Sequence, residues 1–424
     1  MNDFVTRQET HEAYHGWEIA VDLRYRDVVL ANLKELDSEA DPPSAEAGDA
    51  EPRLDLGIVT LPAVDRTAGK IRVKYGALPE RDYPIDTVLE GLRHHISVKH
   101  GGWEIRMGKN RNTDTVGGLP HIGTGGWYYP TAEGQVSVFE LEPETSPEGQ
   151  GVRVGVIDSV MFANPQLANR WYALEASSHL SGPEPFSWLN GHSAFVAGQI
   201  LRRAPAAKLE IRGVLDGPDS TATVWEVARA MASFLSTGVG VLNMSVGCYT
   251  ADGKAPFVLE RAVDVLSRAG VVLVASAGNH GESGASDIVR NAPIFPAACA
   301  GAVAVGALWA DESNHFYRAP FSPDAQWVNL VAPGLNVHSA YLKGKVQIFR
   351  LPGLTPPPAG LVDFPGAATW SGTSFSAAAV SGEIARLAVP GKTPMQVLDG
   401  LLAREPNQQN GAIGRYHQGM PVKP

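Results

Sequence analysis

Residues 152–158 read VRVGVID, a mostly apolar run that ends on a carboxylate. Apolar residues on successive positions mark a strand buried on both faces. Further along the chain the theme repeats with helices between. HSAFVAGQILRR (192–203) has helical spacing, KLEIRGVL (208–215) is strand-like, and TVWEVARAMASFLST (223–237) is helical again. Then come VGVLNMSVG (239–247), FVLERAVDVLSRAG (257–270) and VVLVASAGN (271–279), in the order strand, helix, strand. Continuous apolar strands alternating with amphipathic helices predict an α/β fold, a parallel sheet with helices on both faces. In such sheets reactive groups collect where strands end at their carboxyl edge. Asp158, Ser245 and Asn279 fall at those ends.

A second stretch raises the question of chemistry. WSGTSFSAAAVSG (370–382) holds Ser371, Thr373, Ser374 and Ser376 in a run that otherwise reads as a small-residue helix. Acyl transfer by a hydroxyl needs a base, a carboxylate that orients the base, and donors for the oxyanion. Ser374 stands at the expected helix start, where free N–H groups favour negative charge. Ser371 and Thr373 compete for the cap, and Ser376 lies inside the helix. His192 is set among Gly191, Ser193, Ala194, Ala197 and Gly198, on a helix thin enough to approach another backbone closely. His94, His95 and His100 sit on an expected surface helix. Taken singly, Asp158 also reads as a cap, His192 as a structural histidine, and Asn279 as a turn residue.

Taken together, VGVIDS, GHSAFVAG, VLNMSVG, VASAGNHG, VAVGA, VAPG and SGTSFSAAAVSG occur in one order over about residues 150–405. In that order they resemble the successive motifs of the subtilisin-like serine proteases, the subtilases; Asp, His, Ser is the triad order of subtilisin. The resemblance implies a subtilisin-like sheet and an endopeptidase acting through an acyl-enzyme. It implies Asp158 as orienting acid, His192 as general base, Ser374 as nucleophile and Asn279 as oxyanion donor. Ser245, Val246 and Gly247 resemble the strand that pairs with substrate backbone. Ala275, Ser276, Ala277 and Gly278 resemble the wall of the pocket for the residue before the scissile bond.

The chain departs from the family pattern near these residues. Val160 replaces the Gly that usually follows DS, and Ser193, Ala194 and Phe195 replace the Gly, Thr and second His of HGTHVAG. Ala378 and Ala379 replace the Pro and His that usually follow the nucleophile. None of these removes a triad member. Gly198–Ala204 is short for the family's calcium-loop insertion, and Gln166 stands where an acidic residue is usual, so no metal site is expected there. No cofactor is expected either. Residues 344–366, GKVQIFRLPGLTPPPAGLVDFPG, exceed what a minimal subtilase needs and read as a flap or a decorated loop.

Residues 1–110 suggest a small α+β module. GWEIAVDLRYRDVVL (16–30) reads as strand then helix, LDLGIVTLPAV (54–64) and KIRVKYG (70–76) as strands, and GGWEIRMGK (101–109) as a further strand. PIDTVLEGLRHHISVKH (84–100) reads as a helix capped by Asp86. The acidic, Pro- and Ala-rich residues 36–53 read as a solvated loop. Residues 111–149 are an irregular connection containing GGLPHIGTGGWYYP, and 406–424 a tail. The module has two readings: a pro-segment, or a permanent regulatory domain through which a partner acts.

Bulk composition narrows the partners. Of the 424 residues, 44% are hydrophobic and 19% charged, which suits a globular chain with a sizeable core. A formal charge of −10 argues against nucleic acid as partner. Cys248 and Cys299 are too few for a disulfide framework and read as buried thiols. No apolar run approaches a membrane span, and the N-terminus has no apolar signal core, so a cytoplasmic chain acting on protein or peptide is expected. Three functions stay open: a serine endopeptidase, a leader protease or transpeptidase with the same triad, and a peptide-binding scaffold without turnover.

Overall fold

The computed structural model describes residues 4–7, 12–39, 50–76, 83–115, 129–132, 139–143, 145–162, 164–173, 184–215, 221–281, 290–311, 313, 315–348, 360–404 and 413–422. The centre of the acidic stretch, most of the Gly- and aromatic-rich connection, residues 282–289 and the Pro-rich residues 349–359 lie outside them.

The N-terminal elements are β1 (Phe4–Arg7), β2 (Glu12–Asp22), α1 (Arg26–Leu36), β3 (Ala50–Glu51), β4 (Leu56–Thr60), α2 (Val64–Tyr75), α3 (Pro84–Lys99) and β5 (Met107–Thr115). Strand β2 lies between β4 and β5, antiparallel to both. Its alternation sorts the two faces. Ile19 and Val21 join a core with Val29, Leu33, Ile71, Val88 and Leu92 from α1, α2 and α3. Ala20, with Leu56 and Ile58 of β4, faces the other way into a different core.

Three expectations change here. KIRVKYG is helical, not a strand, since α2 buries Thr67, Ala68 and Ile71 on one face. Val73 is 88% exposed, so the alternating Ile, Arg, Val, Lys pattern mimicked a strand while only Ile71 belonged to the core. Asp86 does not cap α3. Tyr83 occupies that position without a side-chain bond, and Asp86 instead pairs with Lys109 at 3.1 Å. Asp37, inside the stretch read as solvated, is buried. Burial works against its charge, but Lys70, Arg66 and Thr67 hydrogen-bond it and hold its carboxyl well below the usual range.

The main sheet is built from β6 (Arg153–Ser159) onward. After it come β7 (Trp171–Ala173), β8 (Phe186–Ser187), α4 (His192–Arg203), β9 (Lys208–Leu215), β10 (Thr221–Thr223), α5 (Val224–Ser233), β11 (Val241–Met244), β12 (Val246–Gly247), α6 (Phe257–Arg268) and β13 (Val272–Ser276). The chain continues with β14 (Ala302–Ala310), β15 (Phe316–Arg318), β16 (Leu330–Pro333), β17 (Val337–Ile348), β18 (Gly360–Trp370), helices α7 (Thr373–Leu387) and α8 (Pro394–Leu402), and β19 (Gly414–Arg415). Nine strands form one sheet in the order β19-β16-β14-β13-β11-β6-β9-β7, with β15 beside β14. Every pair from β16 to β7 is parallel. The α/β reading is therefore met, with α4 and α7 packed on one face and α5 and α6 on the other.

The two faces pack differently. A Cβ added to Gly382 of α7 would sit 2.6 Å from the Ile200 carbonyl oxygen of α4, so the helices approach backbone to backbone. On the opposite face α5 and α6 share their core with Ala20, Leu54, Leu56 and Ile58 of the N-terminal module. Arg261 of α6 donates to Asp22 at 2.5 Å and to the Leu54 carbonyl at 3.1 Å, and Arg106 pairs with Glu260. Asn110 of β5 accepts from the Trp225 N–H in the first turn of α5, satisfying one of that helix's free donors.

Candidate active site

Asp158 is the penultimate residue of β6 and is fully buried. One carboxylate oxygen accepts from the Ser159 N–H at 2.7 Å and lies 2.7 Å from His192 Nδ1. That partner requires the proton on Nδ1 and leaves Nε2 as the acceptor. His192 is the first residue of α4, also with no exposed surface. Its helix starts here for local reasons. Ser159 Oγ accepts from the Ser193 N–H at 3.2 Å, tying α4 to the end of β6. A Cβ on the preceding Gly191 would lie 2.1 Å from the Tyr341 ring, so only glycine admits the approach.

Ser374 lies in the first turn of α7, buried, with Gly372 at the cap position. The expected contest between Ser371 and Thr373 for that cap is not met, because both hydroxyls have other partners. Ser371 Oγ accepts from the Asn336 N–H at 2.9 Å. Thr373 Oγ1 accepts from the Gly278 N–H at 3.0 Å and donates to Asn279 Oδ1 at 3.1 Å. Asn279 Oδ1 also accepts from the Thr373 N–H at 2.9 Å, which lays the Asn279 amide across the N-terminus of α7. A Cβ on Gly372 would stand 3.4 Å from Asn279 Nδ2.

The His and Ser elements meet through aromatic rings. Phe375, next to Ser374, has its ring centroid 5.5 Å from the His192 imidazole, and Trp370 stands edge-on at the same distance. Phe195, where the family has a second His, packs on Phe375 at 4.2 Å. His192 Nε2 and Ser374 Oγ are both buried, and neither has a hydrogen-bond partner among the described residues.

Ser245 follows β11, fully buried, and Asn243 links it to α7 through the Ser381 hydroxyl. Val246 and Gly247 form β12, which pairs antiparallel with Thr115 and Asp114 of β5. Ala275 and Ser276 end β13, Ala277 bonds back to Val305, and Gly278 has φ +99, where a Cβ would strike Ile294. The expected site residues are thus gathered along the carboxyl edges of β6, β11 and β13 and the starts of α4 and α7.

Two neighbours escaped the sequence reading. Trp370 lies against the imidazole, and His280 follows Asn279. His280 is buried, which lowers its pKa to about 4. Its Nε2 bonds the Ala292 carbonyl at 3.0 Å, and Tyr249 packs edge-on at 5.3 Å. The Asn-His-Gly triplet was the available signal for His280, but it reads first as a turn. Among the described residues no group of three or more His, Cys, Asp or Glu side chains is placed to hold a metal ion, and no helix is long and apolar enough to cross a membrane. Cys248 and Cys299 are buried free thiols, and burial pushes the Cys299 pKa up.

A sheet of this topology, with an aspartate, a histidine and a serine at these strand and helix ends, defines the subtilisin-like class. The subtilase family model matches residues 149–411, and the chain belongs to that family. It is similar to Subtilisin BL of Lederbergia lenta, 34% identical over 202 residues, 46% of this chain and 67% of that one. It is also similar to Subtilisin E of Bacillus subtilis, 32% identical over 201 residues, 45% of this chain and 49% of that one. In fold it is similar to the crystal structure of fervidolysin from Fervidobacterium pennivorans, with a TM-score of 0.59 and 18% identity, covering 94% of this chain and 58% of that one. The chain therefore spans about half the length of Subtilisin E and of fervidolysin. By family it is a serine protease, a hydrolase of protein or peptide substrates.

Proposed function

We propose that the protein is a serine endopeptidase whose reaction runs through Ser374, His192 and Asp158. The observation that carries this is the buried 2.7 Å pair of His192 and Asp158, which leaves Nε2 unpartnered among the described residues, with Ser374 in the first turn of α7. Ser374 Oγ attacks the substrate carbonyl carbon while His192 Nε2 takes its proton. Asp158 keeps the proton on Nδ1 and stabilises the imidazolium that forms. The oxyanion is met by the Asn279 amide and the N–H groups at the start of α7. The C–N bond then breaks, His192 returns the proton to the amine, and water repeats the cycle on the acyl-enzyme.

The substrate enters as an added strand. Residues Asn112–Thr115 of β5 occupy a strand position between β10 and β12, and we read this as the substrate position filled in cis. The N-terminal module on this reading restrains the enzyme. A fluorophosphonate should label wild type, and Ser374→Ala should lose the label and lower kcat by about a thousandfold or more. Labelling that survives the substitution removes Ser374 from the role. Intact masses of wild type and Ser374→Ala separate a module cut away by the enzyme from a permanent one.

A further inference from the structure

Resting on that reading, the geometry points to a substrate preference written into the chain itself: the groove selects a threonine at the position Thr113 fills. Thr113 stands opposite Ala222 of β10, and Asp114 pairs with Thr221 on one side and Gly247 on the other. The segment is thus the middle strand of three. Backbone bonds along both edges hold any extended peptide, so they carry affinity without sequence. Selection falls to side chains that enter the walls.

Thr113 is such a side chain. It has no exposed surface, and its hydroxyl donates to the Ala222 carbonyl at 2.9 Å. The flanking strands present Ala222 and Val246, which belong to one buried apolar cluster with Val224 and Trp225. A small β-branched residue suits this setting, since its methyl meets apolar surroundings and its hydroxyl meets an acceptor. Serine keeps the donor and loses the methyl. Valine keeps the shape and loses the hydrogen bond. Leucine, arginine or an aromatic residue must displace a packed wall, and close-packed interiors resist added volume. The preferred substrates are extended peptides with threonine at that position.

The test uses the full chain and fluorogenic peptides copying residues 112–116, with Thr, Ser, Val, Leu or Arg at the second position. We expect kcat/KM to rank Thr first, Ser and Val roughly threefold to thirtyfold lower, and Leu and Arg about a hundredfold lower. Thr113→Arg in the protein should raise kcat/KM for the Thr peptide about tenfold by weakening its internal competitor, and Thr113→Ser should raise it by a smaller factor, about threefold. If Thr113→Arg does not fold, the wild-type ranking decides alone, because the internal strand depresses all peptides by one factor. A flat ranking, or Leu or Arg above Thr, overturns the inference. Fluorophosphonate labelling of Ser374 in the same sample keeps the two failures apart. A labelled enzyme with a flat ranking rejects only the threonine preference, and an unlabelled one rejects the catalytic assignment.

Discussion

The two faces of the main sheet carry helix pairs of similar length, yet they are built on different rules. On the face of α4 and α7 the close approaches are those of Gly382 of α7 to the Ile200 carbonyl of α4 and of Gly198 of α4 to Ser339 and Ala340 of β17, with Ala377, Ala378 and Ala379 in the same core. On the face of α5 and α6 it is made by Val227, Met231, Leu259, Val263 and Leu266, with the N-terminal module laid over them. The first face brings two helix N-termini, carrying His192 and Ser374, to one edge of the sheet. The second supplies area to a neighbour. Small residues fix distance and large ones provide adhesion, and a site that must hold a 2.7 Å hydrogen bond sits on the side where distance is fixed.

One substitution in two places breaks the comparison if it is wrong. Gly→Ala inside a helix normally stabilises by about 1 kcal/mol. At Gly69 in α2 an added Cβ meets nothing within 4 Å, so Gly69→Ala should stabilise by roughly 0.5–1 kcal/mol. At Gly382 the same methyl lies 2.6 Å from the Ile200 carbonyl oxygen and 3.1 Å from Arg203 Cβ, so Gly382→Ala should destabilise by about 1–3 kcal/mol. It should also lower activity, because α4 carries His192. Denaturant unfolding of both variants reads the difference of about 1.5–4 kcal/mol between them. Equal signs would mean that α4 and α7 are not locked by close approach.

His280 sharpens the account at the edge between the faces. Its folded pKa, about 4, is below the ordinary 6.5 because burial disfavours the charge. The unfolded chain then binds more protons between those values, so stability is full above pH 6.5 and falls as pH drops towards 4. From pH 7 to pH 5 this group alone removes about 2 kcal/mol. His280→Gln keeps a donor for the Ala292 carbonyl and does not titrate. It should therefore shrink the pH 7 to pH 5 loss by about that amount, as read by urea midpoints at the two pH values. An unchanged loss would place the acid sensitivity elsewhere.

The parallel sheet was legible because strands buried on both faces must be apolar on successive positions, as VGVLNM and VVLVAS largely are. The candidate site was legible because Asp158, His192, Asn279 and Ser374 stand at element ends, where the sequence pattern places them. What could not be read was fixed by partners distant in sequence. Asp37 is buried because Arg66 and Lys70 come to it across about thirty residues. The fate of Ser371 and Thr373 depended on Asn336 and on Gly278 with Asn279. Hardest of all was Asn112–Thr115. NTDT is polar and has no apolar alternation, so it signals a loop. It is a strand because β10 pairs with Asn112–Asp114 along one edge and β12 with Asp114 and Thr115 along the other, a property of the groove and not of the segment.

The smallest expected effect separates charge from area on the module's face. Arg106 and Arg261 both cross that interface. Arg106 meets Glu260 with both side chains about half exposed or more, 60% and 48%. Arg261 is 21% exposed, donates to Asp22 and to the Leu54 carbonyl, and lies above the Phe257 ring at 5.5 Å. Exposed ion pairs contribute about 0–1 kcal/mol and weaken in salt, whereas partly buried guanidiniums with carbonyl partners contribute more. Arg106→Ala should thus shift the unfolding midpoint barely, and the shift should vanish at high salt. Arg261→Ala should cost roughly 1–2 kcal/mol and keep most of that cost in salt, since its loss leaves Asp22 and a carbonyl short of a donor. Both should leave fluorophosphonate labelling of Ser374 no slower than in wild type. If Arg106→Ala proves the costlier, adhesion on this face is electrostatic, and the contrast between a face that fixes distance and a face that supplies area has to be redrawn.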